Sequence, residues 1–355
     1  MAKILILGGG FGGLVVAERL AEHLGDDHQI TLVSRSRRFV FYPALVRLAF
    51  GECRPEDVTF DLRNAMLDRR VNFIEAEVAR IDPLERRVLI AHGDVQGQLP
   101  YDYLVFALGR RLATERISGF YEYAHHLLDI DKALKFGKAI DNFHEGHAVI
   151  GQCAGARLPV PIYETAFALA RKLEKRGERE RTKITVVTPQ TPAAELGNET
   201  SEALQRVLDS RGIEVLTNFA VKAVHKDAVI TNDSHSLNFD LLMLLPPFKG
   251  SPAAAYVGIA NDEGYVNVEP TLRVSAHERI YAVGDCANFP GPKMGNMAVR
   301  QGQVAAANLV AELNGREPVA HYAHEVKLVI DDNADESIFR HKDVVWPGMN
   351  IAVAK

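Results

Sequence analysis

The chain changes its apolar period twice before residue 34, and that switch constrains its fold more than any other feature. Lys3 to Leu7 (KILIL) is a short apolar run suited to a strand covered on both faces. Gly8 to Gly13 (GGGFGG) interrupts it. Leu14 to Leu24 then carries apolar residues at helical spacing, and Gln29 to Val33 (QITLV) reads as the next strand. The pattern predicts a β-α-β unit of about 30 residues. Its glycines spell G-x-G-x-x-G at Gly8, Gly10 and Gly13, with Phe11 and Gly12 between the last two. The first glycine permits a tight turn, the second lets backbone approach a pyrophosphate, and the third lets helix and strand pack closely. A dinucleotide is the ligand such a turn serves, its phosphates lying at the helix N-terminus.

A second unit of the same kind begins at Ala148. Ala148 to Ile150 feeds Gly151, a helix is expected over about Tyr163 to Lys175, and Lys183 to Thr188 (KITVVT) reads as the following strand. Ser201 to Ser210 reads as a helix and Ile213 to Leu216 as a strand. Glu75 to Ile81, Val88 to Ile90 and Tyr101 to Ala107 look like strands completing the first unit. The expected class is therefore α/β, with two tandem Rossmann-like dinucleotide-binding domains and a small β-rich C-terminal segment. The first domain is expected over 1–115 and 262–316, the second over 116–261, and the segment over 317–355. A length of 355 residues suits two domains, and a net charge of −5 argues against nucleic acid as partner. The glycine-broken opening run makes a poor signal peptide, and three scattered cysteines give no disulfide framework or zinc spacing. With no stretch of about 18 apolar residues, no transmembrane helix is expected, and a cytoplasmic location is. The charged run 175–183 (KRGERERTK) reads as a solvated helix end and loop.

An acidic residue is expected about 20 residues past the glycine turn to hold ribose hydroxyls. Ser34 stands there, followed by Arg35, Arg37 and Arg38, which either cover the adenosine side or form a solvated loop. Two further motifs identify the dinucleotide. Tyr101 to Gly109 (YDYLVFALG) resembles the second fingerprint of two-dinucleotide-domain flavoproteins, and Ile280 to Ala287 (IYAVGDCA) resembles the third. A carboxylate such as Asp285 at a strand's carboxyl end can accept from ribitol hydroxyls. The helix that follows and a cation such as Lys293 would favour negative charge on the flavin's pyrimidine edge. FAD is the expected cofactor.

The remaining segments resemble the sulfide:quinone oxidoreductases and their sister type II NADH dehydrogenases. Arg38 to Leu45 (RFVFYPAL) looks like the loop that in this family passes beside the flavin's isoalloxazine. Ile184 to Gln190, Pro246 to Gly250 and Gly291 to Gly295 look more like the sulfide branch, and Ala298 to Gly302 leans toward the NADH branch. The resemblance implies cofactor contacts from Gly8, Gly10, Phe11, Gly12, Gly13, Ser34, Arg35, Pro43, Val78, Ala107, Gly109, Gly284, Asp285 and Lys293. It also implies a small, sulfur-type electron donor and a quinone-like acceptor.

Gly151 to Glu164 (GQCAGARLPVPIYE) separates the branches. Cys153 replaces the glycine that a pyrophosphate would approach, and Thr188-Pro189 offers neither an acid for a ribose nor an arginine for a 2′-phosphate. The second domain thus reads as a dinucleotide fold that has lost its dinucleotide. In the sulfide branch the matching loop carries a redox cysteine, and Cys153 falls on that position. Redox work and plain packing are both open to it, and Arg157 or the next helix N-terminus would activate the thiol if close. Glu164 serves either as an acid/base group or as a partner for helix N-terminal donors. The chain departs from the family pattern after Cys286, where no second redox cysteine follows. It departs again at the C-terminus. There Lys327 to Ile330 and Val344 to Val353 read as strands about an acidic turn, Asp331 to Ser337, rather than as an amphipathic membrane helix. Thirteen histidines, among them His125, His126, His144 and His147, suggest surface or capping roles, with no metal expected. An NAD(P)H:acceptor oxidoreductase and a non-turnover flavoprotein subunit are the alternative readings. Peripheral membrane contact, a homodimer and a partner subunit are all compatible with the sequence.

Overall fold

The structure, a computed structural model, describes residues 1–255, 258–275, 277–326, 328–331, 338–342, 344–345 and 352–354. Two compact units divide the chain. One comprises Met1–Val40, Thr59–Arg111 and Lys249–His324; the other comprises Phe41–Val58, Leu112–Phe248 and Glu325–Lys355.

Seven strands of the first unit form one sheet, in the order Ile280–Ala282, Tyr103–Phe106, Lys3–Leu7, Gln29–Ser34, Asn72–Asp82, Arg87–Gly93 and Gly97–Pro100. The first five run parallel, and the last two continue as an antiparallel meander. Alternation along Lys3–Leu7 explains why the run is apolar throughout. Ile4 and Ile6 pack with Val16 and Leu20 of the helix Phe11–Leu24 and with Ala305 and Leu309 of the helix Gly295–Leu313. Leu5 and Leu7 face the other way, into a cluster with Ile81, Val88, Ile90 and Ala254. Each such side chain, fully buried, stabilises the fold by about 1.5–3 kcal/mol relative to exposure. The two helices meet backbone to backbone, since a Cβ on Gly302 would lie 2.8 Å from the Gly12 carbonyl oxygen. The first helix begins at Phe11, not Leu14. Packing against the sheet overrides the poor helix propensity of Gly12 and Gly13.

The second unit holds a four-stranded parallel sheet ordered Ile213–Leu216, Thr182–Val187, Gly146–Gln152 and Leu241–Leu245. Its long helix runs Val160–Arg176, starting three residues earlier than expected, because Pro161 occupies the first turn, where its missing N–H costs nothing. A helix over Ile130–Asp141, capped by Asp129, and an antiparallel set of Val221–Val224, Ala228–Thr231 and Ser236–Asn238 were not expected from the sequence.

Two expectations are corrected. The charged run is not only a solvated loop, because Arg179 donates to the carbonyls of Thr182, Arg211 and Gly212 and ties two strand entries together. His126 is not a surface residue; it is 8% exposed. Near the C-terminus, Val329–Asp331, Ile338–Lys342 and Ala352–Ala354 form a three-stranded sheet, and Val344–Val345 pairs with Glu325–Val326. Lys327, residues 332–337 of the acidic turn, and residues 346–351 lie outside the described residues. Among the described residues, no helix is long and apolar enough to cross a membrane.

Candidate functional site

Four adjacent parallel strands of the first unit end together, and each end delivers one of the sequence motifs. Leu7 leads into Gly8–Gly13, Ser34 closes its own strand, Phe106 leads into Ala107–Gly109, and Ala282 leads into Gly284-Asp285. The carboxyl ends of parallel strands are where ligands bind in such sheets. The glycines of the turn have separate causes. Gly8 has φ +108°, and a Cβ there would overlap the Ala107 carbonyl oxygen; a Cβ on Gly13 would overlap the carbonyl oxygen of Gly8. Gly10 differs, since a Cβ there would meet nothing within 4 Å. Its missing side chain leaves open space directly before the helix. That helix has no side-chain cap at Gly10 and no acidic residue in its first turn, so its positive end is left for an external anion.

Ser34 flanks this turn, its Oγ 3.0 Å from where a Gly9 Cβ would stand. Arg35 and Arg38 are exposed, and Arg37 is committed to Asp61, its Nε donating at 2.6 Å. Phe11 is held structurally, its ring edge-on to Phe39 at 5.1 Å and against Gly295. Val78 is half-buried and packs against the core cluster beneath the meander.

Asp285 forms an ion pair with Arg110, which directly follows Gly109. The two side chains are 17% and 15% exposed and join the second and third fingerprints across the site. Arg110 was not singled out from the sequence. Its position just after the Tyr101–Gly109 fingerprint is the signal that would have found it. Gln301, also missed, is 3% exposed on the helix Gly295–Leu313 and accepts from the Gly284 backbone N–H at 2.7 Å, fixing the turn before Asp285. Lys293 is buried. Its Nζ donates to the Ala287 carbonyl at 2.5 Å and lies 4.6 Å from the centroid of the Tyr265 ring. Open space at Gly10, an uncapped helix end and a carboxylate at a neighbouring strand end fit FAD, the pyrophosphate at the first two and the ribitol hydroxyls at Asp285.

Pro43, Cys153 and Glu164 belong to the second unit. Pro43 sits in the exposed one-turn helix Tyr42–Ala44. Cys153 follows directly on the strand Gly146–Gln152, fully buried among Val149, Val187, Leu242 and Leu244. Burial pushes its thiol up to about 12, so the expected lowering by a cation or helix end is not what dominates there. Thr188 cannot stand in for a ribose acid, because its hydroxyl donates to the Gln190 carbonyl at 2.7 Å. Glu164 is buried on the helix Val160–Arg176, and burial pushes its carboxyl up to about 8. The Asp331 backbone N–H donates to Oε1 at 3.2 Å and opposes that shift only in part. Glu195 was not anticipated. It accepts from Gln152 Nε2 at 2.7 and 2.9 Å, and burial raises it to about 7. Cys286 lies within 3.0 Å of the Val283 carbonyl oxygen and 3.2 Å of that of Phe106, with its thiol also raised to about 12 by burial.

The profile of a family described as pyridine nucleotide-disulphide oxidoreductase matches residues 2–302. A sulfide-quinone reductase of Aquifex aeolicus is 29% identical over 100% of this chain and 87% of its own length. A type II NADH:quinone oxidoreductase of Staphylococcus haemolyticus is 23% identical over 88% of this chain and 83% of its own. The solved structure of the sulfide:quinone oxidoreductase from Aquifex aeolicus superposes with a TM-score of 0.91 at 26% identity, covering 100% of this chain and 87% of that one.

Proposed function

The chain belongs to the pyridine nucleotide-disulphide oxidoreductase family, an FAD-dependent oxidoreductase fold, and on that premise we propose that it passes electrons from a small reductant to a quinone. The observation that carries this reading is the meeting of all three flavoprotein fingerprints at the carboxyl ends of adjacent parallel strands, in a chain similar along its whole length to a sulfide-quinone reductase. Bound FAD supplies two-electron transfer between donor and acceptor. The chain's own residues hold and polarise it. The helix end at Gly10 takes the pyrophosphate, and Asp285, set by Arg110, takes the ribitol. Lys293 places a fixed positive charge at the turn after Asp285. Glu164, still protonated at neutral pH, can hold a proton for the acceptor.

A sulfur-type donor is supported over a nicotinamide by the second unit's first β-α turn. Gly151 there is followed by a side chain at 153 rather than by the open backbone present at Gly10, and Thr188 is engaged with Gln190. Cys153 is fully buried with its thiol raised, so sulfide would be joined to an external thiol as a persulfide, which would release two electrons and two protons. Anaerobic mixing of the purified holoprotein with sulfide, NADH and NADPH in turn, following the visible flavin absorbance, tests this. Bleaching by sulfide that outruns both nucleotides is expected. Rapid, saturable bleaching at micromolar NADH would overturn the choice of donor and promote the type II dehydrogenase reading.

A further inference from the structure

A cavity of about 190 Å³ lies in the second unit, and no part of the proposed electron transfer uses it. His125, His126, Lys132, Lys135, Thr114 and Tyr121 line it, with Asp129 as its one acidic group. We propose that this cavity binds a small tetrahedral oxyanion of the phosphate or sulfate type.

Charge is the first reason. Among the described residues, neither Lys132 nor Lys135 pairs with a carboxylate, whereas Lys172 and Lys183 of the same unit pair with Asp141 and Glu214. Lys132 instead lies 5.2 Å from the centroid of the Tyr121 ring, which holds its ammonium at the cavity without neutralising it. Asp129 offsets one of the two lysines and leaves the cavity a net positive charge. Its Oδ1 accepts from the Lys132 backbone N–H at 2.8 Å as the cap of the helix Ile130–Asp141, whose positive end adds to the same field.

Hydrogen bonding is the second. The Leu128 backbone N–H donates to His126 Nδ1 at 3.3 Å, which makes that nitrogen the acceptor and leaves the ring proton on Nε2. Beyond the tilted Phe120 ring at 6.3 Å, no other hydrogen-bond partner holds this ring among the described residues, so a side chain 8% exposed lines the cavity with an unused donor. Both imidazoles are kept neutral. Burial lowers His125, helped by Lys135 and Lys132, and burial lowers His126 to about 4. A neutral ring and two ammoniums offer donors, and the Thr114 hydroxyl can donate as well, which suits an acceptor-only ligand.

Size is the third. At about 190 Å³ the cavity is small. Pockets for drug-sized ligands begin near ~300 Å³. The cavity is partly open to solvent and of a size to hold an oxyanion with part of its hydration, while it could enclose only part of a nucleotide.

Isothermal titration of the FAD-loaded protein with inorganic phosphate and with sulfate, at constant ionic strength, tests the proposal, with the K132Q/K135Q variant alongside. Saturable one-to-one binding to the parent and at least tenfold weaker binding to the variant are expected. Flavin content and visible spectrum should be unchanged, which shows that the variant folds. Absence of saturable binding to the parent, or equal affinity in the variant, overturns the proposal. Glycerol phosphate as a third probe separates the sources. Affinity equal to phosphate assigns the free ion, and tighter binding assigns a phosphate-bearing metabolite; either upholds the oxyanion site.

Discussion

Glu164→Gln isolates the buried acid of the second unit. In the folded chain its carboxyl is pushed from 4.5 up to about 8, first by burial and then by the Asp331 charge, with the Asp331 backbone N–H pulling the other way. Below about pH 4.5 both folded and unfolded chains hold the proton. Between there and about pH 8 only the folded chain does, so unfolding releases a proton and stability falls as pH rises. The contribution is fully present below the unfolded value and is lost as pH passes through the folded one. The gap corresponds to about 5 kcal/mol in total, or about 1.4 kcal/mol per pH unit inside the window. Glutamine keeps the shape and the carbonyl acceptor for Asp331 and removes the titration. Melting followed by circular dichroism at pH 5.5, 6.5 and 7.5 should therefore show the wild type losing ground to the variant. A slope difference of about 3–6 °C per pH unit is expected, taking roughly 2–4 °C per kcal/mol for a body of this size. Parallel pH profiles would refute the assignment of a buried, proton-holding Glu164.

Gly10→Ala and Gly13→Ala should part company. The first folds normally and binds FAD weakly, because its Cβ enters only the open space before the helix. The second loses about 3 kcal/mol or more, because its Cβ meets the Gly8 carbonyl; melting and flavin content read the two effects apart. Asp285→Ala should weaken FAD retention at least tenfold, by removing a charged acceptor worth about 1.5–3 kcal/mol, as measured by reconstitution and flavin fluorescence. Cys153 should resist iodoacetamide in the native protein and react on denaturation, while the half-buried Cys53 labels first; native labelling of Cys153 at the rate of Cys53 would contradict its burial.

The three fingerprints were legible because each is a local demand. A turn needs glycine within six residues, a helix start needs to be left uncapped, and a strand end needs one carboxylate, so Gly8–Gly13, Tyr101–Gly109 and Gly284-Asp285 pointed to FAD without any tertiary information. The apolar run Lys3–Leu7 likewise announced a strand covered on both faces, and its two clusters supply the cover. Other properties depend on what distant chain brings. Arg110 reaches Asp285 across 175 positions, and no local pattern encodes that pair. Nor does the sequence near Cys153, which left redox work and packing both open, tell that it is buried in a cluster with Val149, Val187, Leu242 and Leu244 that keeps its thiol protonated. Glu164, Glu195 and His126 took their protonation states the same way. Sequence sets which backbone conformations and which donor atoms are present, because those are properties of a few consecutive residues. Only the tertiary structure sets how much water each charge keeps, because desolvation is the work of every segment packed around it.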